Sequence, residues 1–208
     1  MAQDLGIVMS LTLGGKNYSL NQTKSEPDLV AKEESVPVAW AGTLSTRTSD
    51  TAGTITMDDA DHVITDADEV DIYWTDADGN VQRAHSATVG TVATTSVPFT
   101  GAEGTVLPAQ DTVVQVCVQQ AHVMQEFSGD DIASLVAACD IAAGTIKLVT
   151  AGAPDTTHLV IEIPPTGAYG WWGIGANPIA GDTIDKVRFT HNDTTSARNV
   201  RVAAQLDL

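Results

Sequence analysis

Apolar and polar residues alternate along this chain in short runs, and clusters of Gly, Asp, Asn, Ser and Pro separate the runs. In Glu69–Thr75, Val70, Ile72 and Trp74 fall on one side of a strand, with Glu69, Asp71, Tyr73 and Thr75 on the other. Asp76-Ala77-Asp78-Gly79-Asn80 then supplies a hairpin turn in which Gly79 can take a positive φ. Ala87, Val89 and Thr91 resume the alternation. Thr54–Thr100 therefore reads as a half-buried β-meander. VPVAW, TLSTRT, TIKLV, HLVIEI, DKVRFTH and VRVAAQL extend the theme, while TVVQVCVQ is apolar on both faces, as a doubly covered central strand is. Ser128-Gly129-Asp130-Asp131 has the form of a capping box, and Ile132, Leu135 and Val136 are helically spaced. Residues 131–139 read as one short helix, with a buried strand as the alternative.

The expected fold class is all-β: two small antiparallel sandwich or barrel units, an N-terminal arm and at most one short helix. The expected divisions are 1–35 for the arm, 36–120 for a barrel or sandwich, and 121–208 for a second sandwich. The arm holds strand-grade hydrophobes in Ile7–Leu13 and Tyr18–Leu20, followed by the polar NQTKSEPDLVAKEES. It has too little apolar surface to fold alone, so it is either disordered or laid along a neighbouring subunit; its hydrophobes favour the second.

Charge narrows the partners. Ten Lys and Arg stand against 27 Asp and Glu, for a net charge of -17. Such a surface repels phosphate, so neither nucleic acid nor an anionic membrane is an expected partner, and a basic protein surface is a better one. No apolar run approaches the ~18 residues that cross a bilayer. MAQDLGIVMSLTLGG lacks a basic n-region, so a secretory signal is not expected. Cys117 and Cys139 sit in apolar contexts and read as buried free thiols.

Catalytic and metal chemistry find little support. Asp58, Asp59, Asp61, Asp66, Asp68, Glu69, Asp71, Asp76 and Asp78 invite a calcium reading, but counting from Gly79 puts Trp74 at the first ligand position and His85 at the last. His62, His85, His122, His158 and His191 are never paired at ligand spacing. No nucleophile carries an activating signature. The chain reads as a non-enzyme without a cofactor. The richest local feature is TGAYGWWGIGANPIAGD, residues 166–182, where Tyr169, Trp171, Trp172 and Ile174 stand among glycines. Neighbouring indoles on a strand point to opposite faces, so one can plug the core while the other meets a partner. A sugar-stacking platform would use the same residues.

His62, Thr65, Asp68 and Val70, in the pattern H-x-x-T-x-x-D-x-V, are followed by a turn, ATVGTV and SVPFTG. This resembles a strand motif of tailed-bacteriophage virion structural proteins, with Asp66-Ala67 where that family carries Thr-Gly. TLSTRTSDTAGTITM and GDTIDKVRFTHND also look similar to phage-encoded proteins. The resemblance implies a virion location after assembly in a host cytoplasm, a homo-oligomer, and contacts with the major capsid or other virion proteins. It implies most strongly a capsid decoration (cement) protein, with a tail-tube or head–tail joining protein as the alternative. A carbohydrate-binding sandwich is the alternative from another class.

Overall fold

The computed structural model describes residues 6–13, 16–23, 29–140, 142–172 and 177–206. Strands β1 (Gly6–Leu13) and β2 (Lys16–Thr23) form an antiparallel hairpin. Strand β3 (Leu29–Val36) follows. A first body comprises β4 (Trp40–Arg47), β5 (Gly53–Met57), β6 (Glu69–Thr75), β7 (Val81–Val89), β8 (Ser96–Thr100), β9 (Glu103–Gly104) and β10 (Val113–Val118). A second comprises β11 (Gln120–Ser128), β12 (Ile132–Cys139), β13 (Gly144–Thr150), β14 (Thr156–Ile163), β15 (Ala168–Trp172), β16 (Thr183–His191) and β17 (Arg198–Leu206).

The first body is a closed barrel. Its strands pair in the order β6-β10-β4-β5-β8-β7, and β7 pairs back to β6, leaving the two-residue β9 on the outside of β7. Closure leaves the ring without an unpaired edge. Leu44, Ile55, Val70, Ile72, Trp74, Val97, Phe99, Val114 and Val116 fill its interior, as the period-two alternation requires.

The second body is a sandwich of two four-stranded sheets, β3-β17-β12-β15 and β11-β16-β13-β14. Leu135, Ala137, Val202 and Ala204 from one sheet meet Ile146, Leu148, Val187 and Phe189 from the other in a single core. The pairs β3–β17, β11–β16, β12–β15 and β13–β14 are nested and antiparallel. Eight strands paired first to last, second to seventh, third to sixth and fourth to fifth are a long hairpin rolled up on itself, which is the jelly-roll order. The barrel is an insertion between the roll's first strand, β3, and its second, β11.

The structure differs from two readings of the sequence. Residues 29–35, expected within an arm, belong to β3 and pair along their length with β17. Residues 132–139, read first as a helix, are strand β12, paired on both sides with β15 and β17. The capping box does form, with Ser128 Oγ accepting from Asp130 N at 3.3 Å and Asp131 Oδ2 accepting from Ser128 N at 3.2 Å. It organises only a 3₁₀ turn, Gly129–Asp131. Beyond it, strands on both sides pair with Ser134–Ala138, and tertiary pairing overrides the weak helical spacing.

Candidate functional site: the junction between barrel and sandwich

The polar face of β6 does not meet water. Asp71 and Tyr73 are completely buried, because this side of the barrel packs on the outer face of the β11-β16-β13-β14 sheet. The β6–β7 ladder carries a bulge between Val70 and Ile72, opposite Ser86, whose φ is +54°. A bulge turns side chains away from the regular pleat. Here it aims Ser86 N at Asp71 Oδ1, 2.9 Å away.

Asp71 is the hub. Its Oδ1 accepts from Lys147 Nζ at 2.6 Å and from Gln119 Nε2 at 2.9 Å, and its Oδ2 accepts from Thr190 Oγ1 at 2.6 Å. Lys147 Nζ donates a second bond to Ser86 Oγ at 2.9 Å. Because Thr190 spends its only proton on Asp71, it must accept from Tyr73 OH at 2.7 Å, and Thr145 Oγ1 then donates to Tyr73 OH at 2.9 Å. Proton directions along this relay are thus fixed by the carboxylate at its end. Burial pushes the Asp71 carboxyl upward, but the Lys147 ammonium, with His85 beside it, wins and holds the group ionised far below the ordinary carboxylate range.

A second layer surrounds the hub. His85 lies between two carboxylates, with Nε2 2.9 Å from Glu162 Oε1 and Nδ1 3.7 Å from Asp71 Oδ2. Desolvation opposes its charge, yet the two acids raise its pKa above the ordinary imidazole value. Arg83 lies over the Tyr73 ring at 5.6 Å and donates from Nη2 to Ile163 O at 2.5 Å. At the rim, Arg188 of the sandwich reaches Asp155 at 2.6 Å and also pairs with Glu69 of the barrel. The ensemble is a clamp: opposite charges from the two lobes pair across the junction, with Asp71 and Lys147 buried at its centre and Glu162 at its wet margin. Cys117, at the edge of the same region, is pushed by burial up to about 12, which leaves it a thiol at neutral pH.

The residues singled out from the sequence lie elsewhere. Tyr169, Trp171 and Trp172 are on β15, an edge strand of the sandwich. Trp171 is 7% exposed and packs in the core, while Tyr169, 40% exposed, meets it edge-on with ring centroids 6.3 Å apart. Ile174 lies outside the described residues. The phage-like motif is a loop closure on the barrel. Thr65 N and Oγ1 donate to Asp68 Oδ2 at 2.7 and 3.0 Å, His62 Nε2 donates to Thr94 O at 2.8 Å, and Val70 enters the barrel interior. Ala67, where a glycine stands in the motif it resembles, takes a φ of +65°. Of the acid-rich stretch, Asp76 caps its own turn and Asp66 accepts from Val92 N at 2.8 Å. Among the described residues, no three His, Cys, Asp or Glu side chains gather as a metal-binding group.

His85, Lys147 and Asp71 were missed as a constellation because 62 to 76 residues separate Lys147 from the other two. The available signal was Asp71 itself, an acid alternating with apolar neighbours in a strand of high β-propensity.

No protein-family model matches the chain, and no curated protein matches it. Solved structures show weak similarity to it over its whole length. One is VP17, a capsid protein of bacteriophage P23-77, at 9% identity and a TM-score of 0.23, covering 100% of this chain and 97% of that one. Another is the VP16–VP17 complex of the two major capsid proteins of the same phage, at 11% identity and a TM-score of 0.22, covering 100% of both. Similarity at this level carries no argument about architecture or role.

Proposed function

We propose that this chain is a structural protein of a phage capsid, placed in the shell itself, and that it works by packing beside other subunits rather than by catalysis. The observation that supports this reading is the eight-stranded jelly-roll order, an architecture used by viral capsid domains as well as by lectins and cupins. A fold shared so widely does not choose among these uses. The junction tips the balance: its charged groups are spent holding a second lobe to the roll, which makes a two-lobed brick of fixed shape. A brick of this kind suits repetition in a shell better than the decoration role expected from the sequence, because an arm and a loop would be enough to clamp a finished shell from outside.

Purified particles provide the test. The expected result is hundreds of copies per particle by quantitative mass spectrometry, with density for the roll in the continuous shell layer. Density confined to a separate layer on top of another shell protein would restore the decoration role. Absence from the particle, or a handful of copies, would overturn the structural reading altogether.

A further inference from the structure

We infer that the cleft beside Arg83, between the two lobes, seats an extended segment of a basic partner protein and holds it by its main chain. One wall is the β6–β7 turn, with Gly79, Asn80 and Val81, and the other is the corner after β14, with Pro164 and Pro165. Arg83 and Glu162 line the space between them. At about 350 Å³ the cleft has room for far more than a single water. Its walls come from different lobes, so it exists only in the joined molecule.

Arg83 marks the cleft as a place for a ligand. It is 3% exposed, and its Nη2 is spent on Ile163 O at 2.5 Å. Its Nε and Nη1 are sealed from solvent and meet no hydrogen-bond acceptor among the described residues. Glu162 Oε2 is 3.7 Å from Nη1, close enough to balance the charge and too far to accept a bond. The other oxygen of Glu162 is taken by His85 Nε2 at 2.9 Å. Buried donors in this state cost stability unless something comes to accept from them. The site is short of an acceptor, not of a charge.

That demand selects a peptide amide. An anion would bring acceptors, but it would meet Glu162 in the cleft and Asp76 and Asp78 on the turn, in a chain of net charge -17. An amide is neutral. Its carbonyl accepts from the guanidinium, and its N–H donates to Glu162, whose side chain is 51% exposed and can swing outward to admit it. Val81 and the two prolines give apolar walls for a small side chain beside that amide. Residues 76–82 and 159–167 hold three acids and no Lys or Arg, so the approach favours a segment that carries a Lys or Arg of its own.

The inference does not rest on the capsid reading, because it concerns the isolated chain in solution. Nuclear magnetic resonance titration of the full chain with acetyl-Ala-Ala-Lys-amide should move the Arg83 Nε–H and the Gly79, Asn80 and Val81 amide signals saturably. Acetyl-Ala-Ala-Glu-amide should bind at least tenfold more weakly. Arg83→Gln should abolish the response. Pro165→Trp, which fills the cleft from its exposed rim and leaves Arg83 in place, should abolish it without lowering the melting temperature, and it decides the matter if Arg83→Gln does not fold. No saturable shift with either peptide, or binding that survives Pro165→Trp, would overturn the inference. So would the same shifts given by acetate alone, which would make the cleft an anion site, or a slowly exchanging water on the Arg83 Nε–H of the peptide-free chain.

Discussion

Lys147 Nζ of the sandwich lies 2.6 Å from Asp71 Oδ1 of the barrel, and the two side chains are 2% and 1% exposed. Neither charge is tolerable alone at that depth, and the shortest ion pair that neutralises each crosses from one lobe to the other. Removing one partner from such a pair costs about 3–5 kcal/mol, whereas replacing both with apolar groups of similar volume is often close to neutral. Asp71→Leu or Lys147→Met alone should therefore destabilise by about that amount, and the two together by less than the sum of the singles, with a remainder for the bonds that Ser86, Gln119 and Thr190 lose. Urea unfolding of the two single variants and the double variant gives the coupling directly.

Two histidines give the stability opposite pH limbs. The raised pKa of His85 means that the folded state binds the proton more tightly, so its contribution is full below about 6.5 and is lost as pH rises through the folded-state value. His191 behaves in reverse. It is buried and neutral, its Nε2 donating to Val36 O at 3.0 Å and its Nδ1 accepting from Asp193 N at 3.0 Å, and burial lowers its pKa. Its contribution is full above about 6.5 and is lost as pH falls through the depressed value. Urea midpoints measured across neutral pH should show His85→Gln flattening the alkaline limb and His191→Gln flattening the acidic one. Asp71 is held so low that its own contribution persists until strongly acidic pH.

Val116, completely buried, lies inside the barrel on β10, with β4 on one side and β6 on the other. An aspartate there would have no cation to meet. Val116→Asp should cost on the order of 4 kcal/mol or more, enough to unfold a marginally stable domain. Loss of the far-ultraviolet β signal at ambient temperature is the expected readout.

Ala67 takes a φ of +65°, where a Cβ costs about 1–2 kcal/mol and glycine costs little. Part of that gain is offset by the greater unfolded-state freedom of glycine. Ala67→Gly should stabilise the protein by about 0.5–1 kcal/mol, seen as a higher urea midpoint at an unchanged slope.

The barrel was largely legible in the sequence. Val70, Ile72 and Trp74 enter its core as their spacing requires, and Gly79 turns the hairpin with a φ of +84°. What alternation cannot express is whether the polar side of a strand meets water or another sheet. Asp71 and Tyr73, on the polar side of the alternation, are as buried as Ile72 on the apolar side, and nothing local reveals it because their partners Lys147, Thr145 and Thr190 lie 72 to 119 residues away. The role of β3 was hidden for a related reason. LVAKEESV looks too polar to be a core strand, but an edge strand needs only one covered side, and Val36 supplies its buried end. In β12, the spacing of Ile132, Leu135 and Val136 suited either period, and only the strands beside it decide.

The barrel leaves and rejoins the roll at neighbouring points, since Trp40 and Val116 face each other across one ladder and only residues 37–39 and 119 connect the two bodies. All eight strands of the roll lie outside residues 40–118, and the surface beneath the barrel bears Lys147, Arg188, Thr145 and Thr190, groups that water would also accept. The upper lobe is thus wired like a cartridge with adjacent contacts. Deleting it would cut the chain at one seam only and leave the order and pairing of the lower scaffold's strands untouched.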